Sequence, residues 1–147
     1  SKTAKIFIER YFEKYESIKD YFQDTIDITR KKGYSETLLK RRRYLPDINS
    51  KNFMLRAAGE RAAINSPIQG SAADIIKMAM ILINNDIALS KNCSMIMQVH
   101  DELVFEVNQN KVKEVSKKIE NHMISCITLN VPLVVDIGFG KTWAESH

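Results

Sequence analysis

Met95-Ile96-Met97-Gln98-Val99, then His100-Asp101-Glu102, then Leu103-Val104-Phe105-Glu106-Val107, is the stretch from which the rest of the chain can be read. Both flanking runs are short, apolar and rich in residues that favour strands. Three residues between them leave room only for a tight antiparallel hairpin. Downstream, Asn108 begins a predicted helix to about Cys126, with Val112, Val115, Ile119 and Met123 on one stripe. Leu133 to Ile137 is nearly all apolar and reads as a last strand, after which Trp143 is expected to pack the tail. This half is therefore β-β-α-β.

Upstream, helix dominates. Thr3 to Lys32 reads as helix, with Ile8, Phe12 and Tyr15 at i, i+4, i+7 and a stripe continued by Ile18, Tyr21, Phe22 and Ile26. The stripe shifts phase near Tyr15, Glu16 and Ser17, so a break is predicted there. Lys31-Lys32 suit the negative end of the helix dipole, and Gly33 supplies a left-handed stop. Tyr34 to Leu38 and Arg42 to Leu45 then form a small hairpin, closed by Pro46-Asp47. Its turn would be Leu39-Lys40, a poor choice where Asn-Gly or Asp-Gly is preferred. Ser50 or Asn52 caps a helix from about Phe53 to Asn65. Pro67 disfavours helix at Ser66 and Gly70 loosens the same spot, so a second break is predicted. Helix resumes at Ser71-Ala72-Ala73-Asp74, similar to a capping box with Asp in place of Glu. Ile75, Ala79 and Leu82 form its stripe, and it ends near Leu89. A helix-rich half followed by β-β-α-β is an α+β chain.

With 147 residues, a single domain is expected. Hydrophobic residues make up 44% and charged residues 27%, enough of the former to bury a core. No apolar run approaches the ~20 residues of a membrane helix. The longest, Met78 to Ile83, is stopped by Asn84-Asn85-Asp86. No secretory leader pattern opens the chain, so membrane and export roles are excluded and a cytoplasmic location is expected. The chain starts at Ser1 and enters a helical pattern at once, as a piece cut from something longer would.

The net charge of +4 permits a polyanionic partner without requiring one. Two basic runs, Arg30-Lys31-Lys32 and Lys40-Arg41-Arg42-Arg43, concentrate that charge. Cys93 and Cys126 form no zinc pattern and read as reduced, half-buried thiols.

Three features could carry chemistry. The first is His100-Asp101-Glu102, a carboxylate pair on a tip held by Met97, Val99, Leu103 and Phe105. Such a pair suits a hard divalent cation such as Mg²⁺, although hairpin tips are also polar simply because they face water. The second is Arg61, Asn65 and Gln69, at i, i+4, i+8 among small residues. Their donors match the acceptors common to A·T and T·A pairs in the duplex minor groove, so the row could test base-pair shape without reading identity. A polar helix face would look the same. The third is the pair of basic runs, which would neutralise phosphates or simply be solvated. Aromatic interleaving is thin, with Tyr34 and Tyr44 flanking, so a single-strand stacking platform has weak support. Ser71 is better explained as a cap than as a nucleophile. His122 and His147 lack metal-ligand spacing, the Met95/Met97 pair reads as core filling, and no glycine-rich phosphate loop is present.

Taken together, Glu60-Arg61-Ala62-Ala63-Ile64-Asn65-Ser66-Pro67-Ile68-Gln69-Gly70-Ser71-Ala72-Ala73-Asp74 and Gln98-Val99-His100-Asp101-Glu102-Leu103-Val104 closely resemble the C-terminal part of the bacterial A family of DNA polymerases. The likeness runs from Tyr11-Phe12-Glu13 through Gly33 to Leu38 and Tyr44-Leu45-Pro46-Asp47, and on to Val131-Pro132-Leu133 and Gly138-Phe139-Gly140. It implies a fragment of a right-hand polymerase fold, helical fingers packed on a β-β-α-β antiparallel palm. Residues 1–52 would be fingers-side helices and the small hairpin, 53–90 duplex-contacting helices, and 91–147 the palm hairpin, helix and final strand.

The resemblance also implies roles. Asp101 would be the catalytic ligand of two Mg²⁺ ions, and Glu102 would support the metal site. His100 would lie near the primer terminus. Arg61, Asn65 and Gln69 would touch the primer–template minor groove, with Arg56 as a further DNA-binding candidate. Deoxynucleoside triphosphates and the remainder of a polymerase chain are the implied partners, with no membrane. The family's other catalytic Asp and its nucleotide-binding helix have no counterpart here, so the chain alone is expected not to extend primers. Two departures stand out. Relatives commonly carry Gly at the position of Lys40, which makes that turn's geometry uncertain. They commonly carry Pro at Glu16, whose replacement should make the first helix more continuous. The competing readings are a non-catalytic duplex-binding module and a small metal-dependent phosphohydrolase.

Overall fold

A computed structural model describes residues 2–146, so His147 lies outside the described residues. Length predicts one domain, yet the chain divides into two compact units, one up to Ser71 and one from Ala72 onward. The physical reason lies in the burial. Leu45, Ile48 and Ala63 form one apolar cluster, and Ile83, Leu89, Val115 and Ile119 form another. The elements are mixed helix and small antiparallel sheets, an α+β chain as expected. No described helix is long and apolar enough to cross a membrane.

In the first unit, α1 (Lys2–Lys14) and α2 (Glu16–Lys32) are separated at Tyr15. The phase shift of the apolar stripe marks that break correctly, and Glu16 does not make the helix continuous. Phe12 meets Phe22 edge-on, with ring centroids 6.0 Å apart. Gly33 ends α2 at φ 78, its N–H donating to the Thr29 carbonyl. That conformation is costly for any residue with a Cβ. β1 (Tyr34–Glu36) and β2 (Arg42–Tyr44) pair antiparallel, Tyr34 opposite Tyr44 and Glu36 opposite Arg42. Lys40 takes φ 66 in the connecting turn. A 3-10 turn, Pro46–Asn49, then buries Ile48.

α3 (Phe53–Asn85) starts where Asn52 accepts a hydrogen bond from the Met54 N–H at 2.9 Å. It runs unbroken through Pro67, which overturns the predicted break and the predicted cap at Ser71. Proline deprives the Ala63 carbonyl of a donor and crowds it. Two serine hydroxyls bond back to carbonyls of the adjacent turns. The Ser66 hydroxyl donates to the Ala62 carbonyl and the Ser71 hydroxyl to the Pro67 carbonyl. The small hairpin bonds to the same turn. Arg43 reaches the Ser66 hydroxyl at 3.1 Å, the Leu38 N–H reaches the Ser71 hydroxyl at 2.9 Å, and Arg41 reaches the Gly70 carbonyl at 2.9 Å. Gly70 makes that approach possible, since a Cβ there would sit 2.6 Å from Thr37 Cγ2.

In the second unit the helix ends at Asn85 rather than near Leu89. Asp86 caps a separate turn, α4 (Ile87–Ser90), by accepting from the Ala88 and Leu89 N–H groups. Ala79 and Ile83, not Leu82, supply the buried stripe. β3 (Cys93–Val99) and β4 (Glu102–Val107) form the predicted hairpin, and Asn108 caps the turn leading into α5 (Val112–Ser125). Met95, Leu103, Phe105 and Val107 pack on the core. Met97 does not, remaining 39% exposed. Residues 133–137 form no strand, and Val134 is 77% exposed. A strand exists only by pairing, and residues 133–137 pair with neither edge of the two-stranded β3–β4 sheet. Trp143 opens a short 3-10 turn and remains 47% exposed, so it does not anchor a core.

Two consequences can be measured. Lys40→Gly relieves a left-handed conformation that costs a side-chain-bearing residue about 1–2 kcal/mol. Less the roughly 0.5–1 kcal/mol that glycine costs through the freer unfolded chain, unfolding free energy should rise by up to about 1 kcal/mol, moving the denaturant midpoint up with no change in slope. Separately, His122 Nε2 lies 3.0 Å from Asp86 Oδ2. That bond first, then the Leu89 and Ala88 N–H groups, hold the Asp86 carboxyl below its ordinary range. The stabilisation is full above the ordinary carboxylate value and drains as pH falls through the lowered one. Melting temperature should therefore drop less steeply on acidification in Asp86→Asn than in the parent chain.

Candidate functional site

The β3–β4 tip is built by register. Val99 lies opposite Glu102, so the loop has two residues, His100 and Asp101, not three. Such loops need positive φ, usually from Gly or Asn. Here His100 adopts φ 51, and the Gln98 amide braces the turn by donating to the His100 carbonyl at 2.6 Å. Asp101 and Glu102 are both exposed.

A bulge between Met95 and Met97 leaves Ile96 as an extra residue. Residues directly opposite on paired strands share a face. Met95 with Phe105 and Gln98 with Leu103 therefore line the core side, while Met97 with Val104 and Val99 with Glu102 line the other. This explains why Met97 misses the core and why Glu102 emerges away from it. Bulges next to functional tips re-aim side chains in this way.

Two neighbouring exposed carboxylates are hard oxygen donors of the kind Mg²⁺ uses together with water and phosphate oxygens. Among the described residues no group of three or more His, Cys, Asp or Glu could hold a metal ion. The turn thus offers a fitting but partial donor set.

Arg61, Asn65 and Gln69 are all exposed on α3. α3 continues past Pro67, and steps of four residues along a regular helix span an arc of roughly 80° over about 12 Å. Ala63, buried against Leu45 and Ile48, fixes which face of α3 points inward. The structure does not bring Arg56 to the row. Its guanidinium donates to the Ser50 carbonyl at 3.0 Å and lies 5.7 Å from the Phe53 ring centroid.

The basic runs are partly spent inside the fold. Arg30 pairs with Glu60 at 2.6 Å and Asp27 at 3.3 Å. Glu36 lies 3.0 Å from Arg42 and 3.8 Å from Lys32, and the Arg42 hydrogen bond leads the effects that lower its carboxyl. Between the small hairpin and α3 lies a cleft of about 100 Å³, lined by Ser35, Arg41, Arg43, Ser66 and Gln69 among others. The Ser35 hydroxyl is buried there with no partner.

Cys93 and Cys126 are free thiols, both pushed up by burial and so poor nucleophiles. Sequence reasoning missed Ser35, the Gln98 brace and the His122–Asp86 pair. The last joins residues 36 positions apart, and no local pattern signals it.

The family model for DNA polymerase family A matches residues 1–145. DNA polymerase I of Streptococcus pneumoniae is 49% identical over 146 residues, which are 99% of this chain and 17% of that protein. DNA polymerase I of Mycobacterium leprae is 46% identical over 149 residues, covering all of this chain and 16% of its own length. The solved POL domain of Pol1 from M. smegmatis, in complex with DNA primer-template and dNTP, superposes with a TM-score of 0.93 at 44% identity. That match covers 99% of this chain and 26% of the solved one. The chain thus spans about a sixth of the length of these curated relatives. It belongs to DNA polymerase family A.

Proposed function

We propose that this chain supplies one catalytic carboxylate turn and the duplex-testing helix face of a DNA-directed DNA polymerase working in the cytoplasm in DNA replication or repair. The observation that carries the reading is the braced His100–Asp101 turn, which presents adjacent exposed carboxylates on a hairpin anchored by Leu103 and Phe105. Asp101 would hold the cations, Glu102 would support them, and His100 would stand beside the primer terminus. Bound Mg²⁺ would neutralise charge on the attacking 3′-oxygen and on the departing pyrophosphate. Two carboxylates on one turn are too few to hold two ions tightly, so the reading requires a second Asp from elsewhere in a longer polymerase.

Arg61, Asn65 and Gln69 would donate to the minor-groove acceptors of the nascent primer–template. Those acceptors occupy equivalent places for A·T and T·A pairs, so the row would sense shape rather than sequence. In this scheme the chain positions DNA and holds charge, while nucleoside triphosphate capture falls to other parts of the protein. The segments 1–52, 53–90 and 91–147 would be the fingers side, the duplex-contacting helix and the palm, respectively.

In the intact polymerase, Asp101→Asn should reduce primer extension at least about a thousandfold, because metal-borne transition-state stabilisation is worth several kcal/mol. Primer–template affinity in the absence of metal should stay unchanged. Glu102→Gln should cost less. Arg61→Ala should weaken duplex binding by about 1–3 kcal/mol, the size of a lost base-edge contact. The 147-residue chain alone should bind duplex without extending it. Extension that survives Asp101→Asn would instead make the chain a non-catalytic duplex-binding module.

A further inference from the structure

We propose that the solvent face of the β1–β2 hairpin is a stacking platform for an unpaired base of single-stranded DNA, with Tyr44 as the ring the base lies on. The sequence shows only two tyrosines flanking basic runs. The register brings them together, because Tyr34 lies directly opposite Tyr44 and their ring centroids are 5.6 Å apart at 62°. Glu36 and Arg42, two residues along each strand, share the same face. The Arg42 guanidinium lies 4.6 Å from the Tyr34 centroid and is held by Glu36, while the Lys32 ammonium lies 5.9 Å from the same ring. Tyr34 is thus half-buried under cations and buttresses its partner. Tyr44 remains 69% exposed.

The occupant follows from charge and from ring chemistry. Residues 30–43 carry Arg30, Lys31, Lys32, Lys40, Arg41, Arg42 and Arg43 against a single acid, Glu36. That balance suits a polyanion and repels a cationic partner. An exposed ring beside cations is the combination that binds single strands, where each base offers a π-face and each phosphate a charge. Duplex DNA hides its base faces in the stack. Tyr44 therefore selects the unpaired form, which in a polymerase is template beyond the growing end. This inference rests on the DNA-binding reading above.

The test measures affinity of the intact protein, by fluorescence anisotropy, for three labelled probes: a dT dodecamer, an abasic backbone of the same length and a blunt duplex annealed from two fully complementary strands. Tyr44→Ala should weaken binding to the dT dodecamer roughly five- to hundredfold, the span of base–aromatic stacking. It should leave the abasic and blunt probes unchanged, and Tyr44→Phe should bind the dodecamer as the parent does. An unchanged dodecamer affinity in Tyr44→Ala overturns the platform, as does an equal loss on all three probes. Arg61→Ala separates the two readings. If it weakens the blunt duplex while Tyr44→Ala does nothing, the platform fails and the duplex reading stands. If it leaves the duplex unchanged, the duplex reading fails, and the dodecamer result alone decides the platform.

Discussion

The hydrogen bonds that fasten the small hairpin to the Pro67 turn of α3 determine what the first unit can present. A proline inside a helix costs about 3 kcal/mol through the lost N–H and the crowded carbonyl. Three bonds from the hairpin, to Ser66, Gly70 and Ser71, contribute about 1 kcal/mol each. The two quantities are of the same size, so helix continuity here is a tertiary property. It depends on Gly70 lacking a Cβ, since Thr37 occupies that space. The return is geometric. Arg61, Asn65 and Gln69 ride one continuous face, and Gln69 also borders the arginine-lined cleft.

The second unit solves a different problem, which is how to hold two carboxylates firmly in water. A tip exposed on a flexible loop would move. Here the loop is shortened to two residues, the left-handed conformation falls on His100, and Gln98 closes over it. A histidine in that backbone region is uncommon and costs energy that a glycine would not. Strain of this kind persists only where the surroundings over-determine it, and the packing of Leu103 and Phe105 on Ile83, Val115 and Ile119 supplies that. The bulge at Ile96 then decides which strand residues face the core and which face outward with Glu102.

Much of this was legible in the sequence, and the misses share a cause. Periodicity and stop signals located α1, α2, Gly33, both hairpins and α5, because each depends on residues within a few positions of one another. The break assigned at Pro67 was not found, and the hairpin bonds to Ser66, Gly70 and Ser71 around that turn come from residues far away in sequence. The strand assigned to residues 133–137 failed because pairing needs a neighbour that composition does not reveal. Met97 was misplaced by a one-residue bulge, and a shift of one residue turns a side chain to the other face. For the site, the motif residues were visible, but the arc joining Arg61 to Gln69 and the positive φ of His100 were not.

Charge is where sequence counting misleads most. The two basic runs read as cations free to neutralise phosphates or to be solvated, yet Arg30 is drawn to Glu60 and Asp27, Lys32 and Arg42 share Glu36, and Arg41 and Arg43 brace α3. A cation that holds structure still contributes to the long-range field, so it helps to draw a polyanion in. It gives up less on contact, because its donors are already committed. Lys31 and Lys40 are exposed on the remaining surface, and Arg42 lies over the Tyr34 ring with Glu36 holding its Nε. The hairpin is therefore better described as a rigid, oriented set of a few groups than as a basic patch. Under the proposed platform, affinity for DNA should depend less on how many cations the hairpin carries than on where its bonds to the Pro67 turn point them.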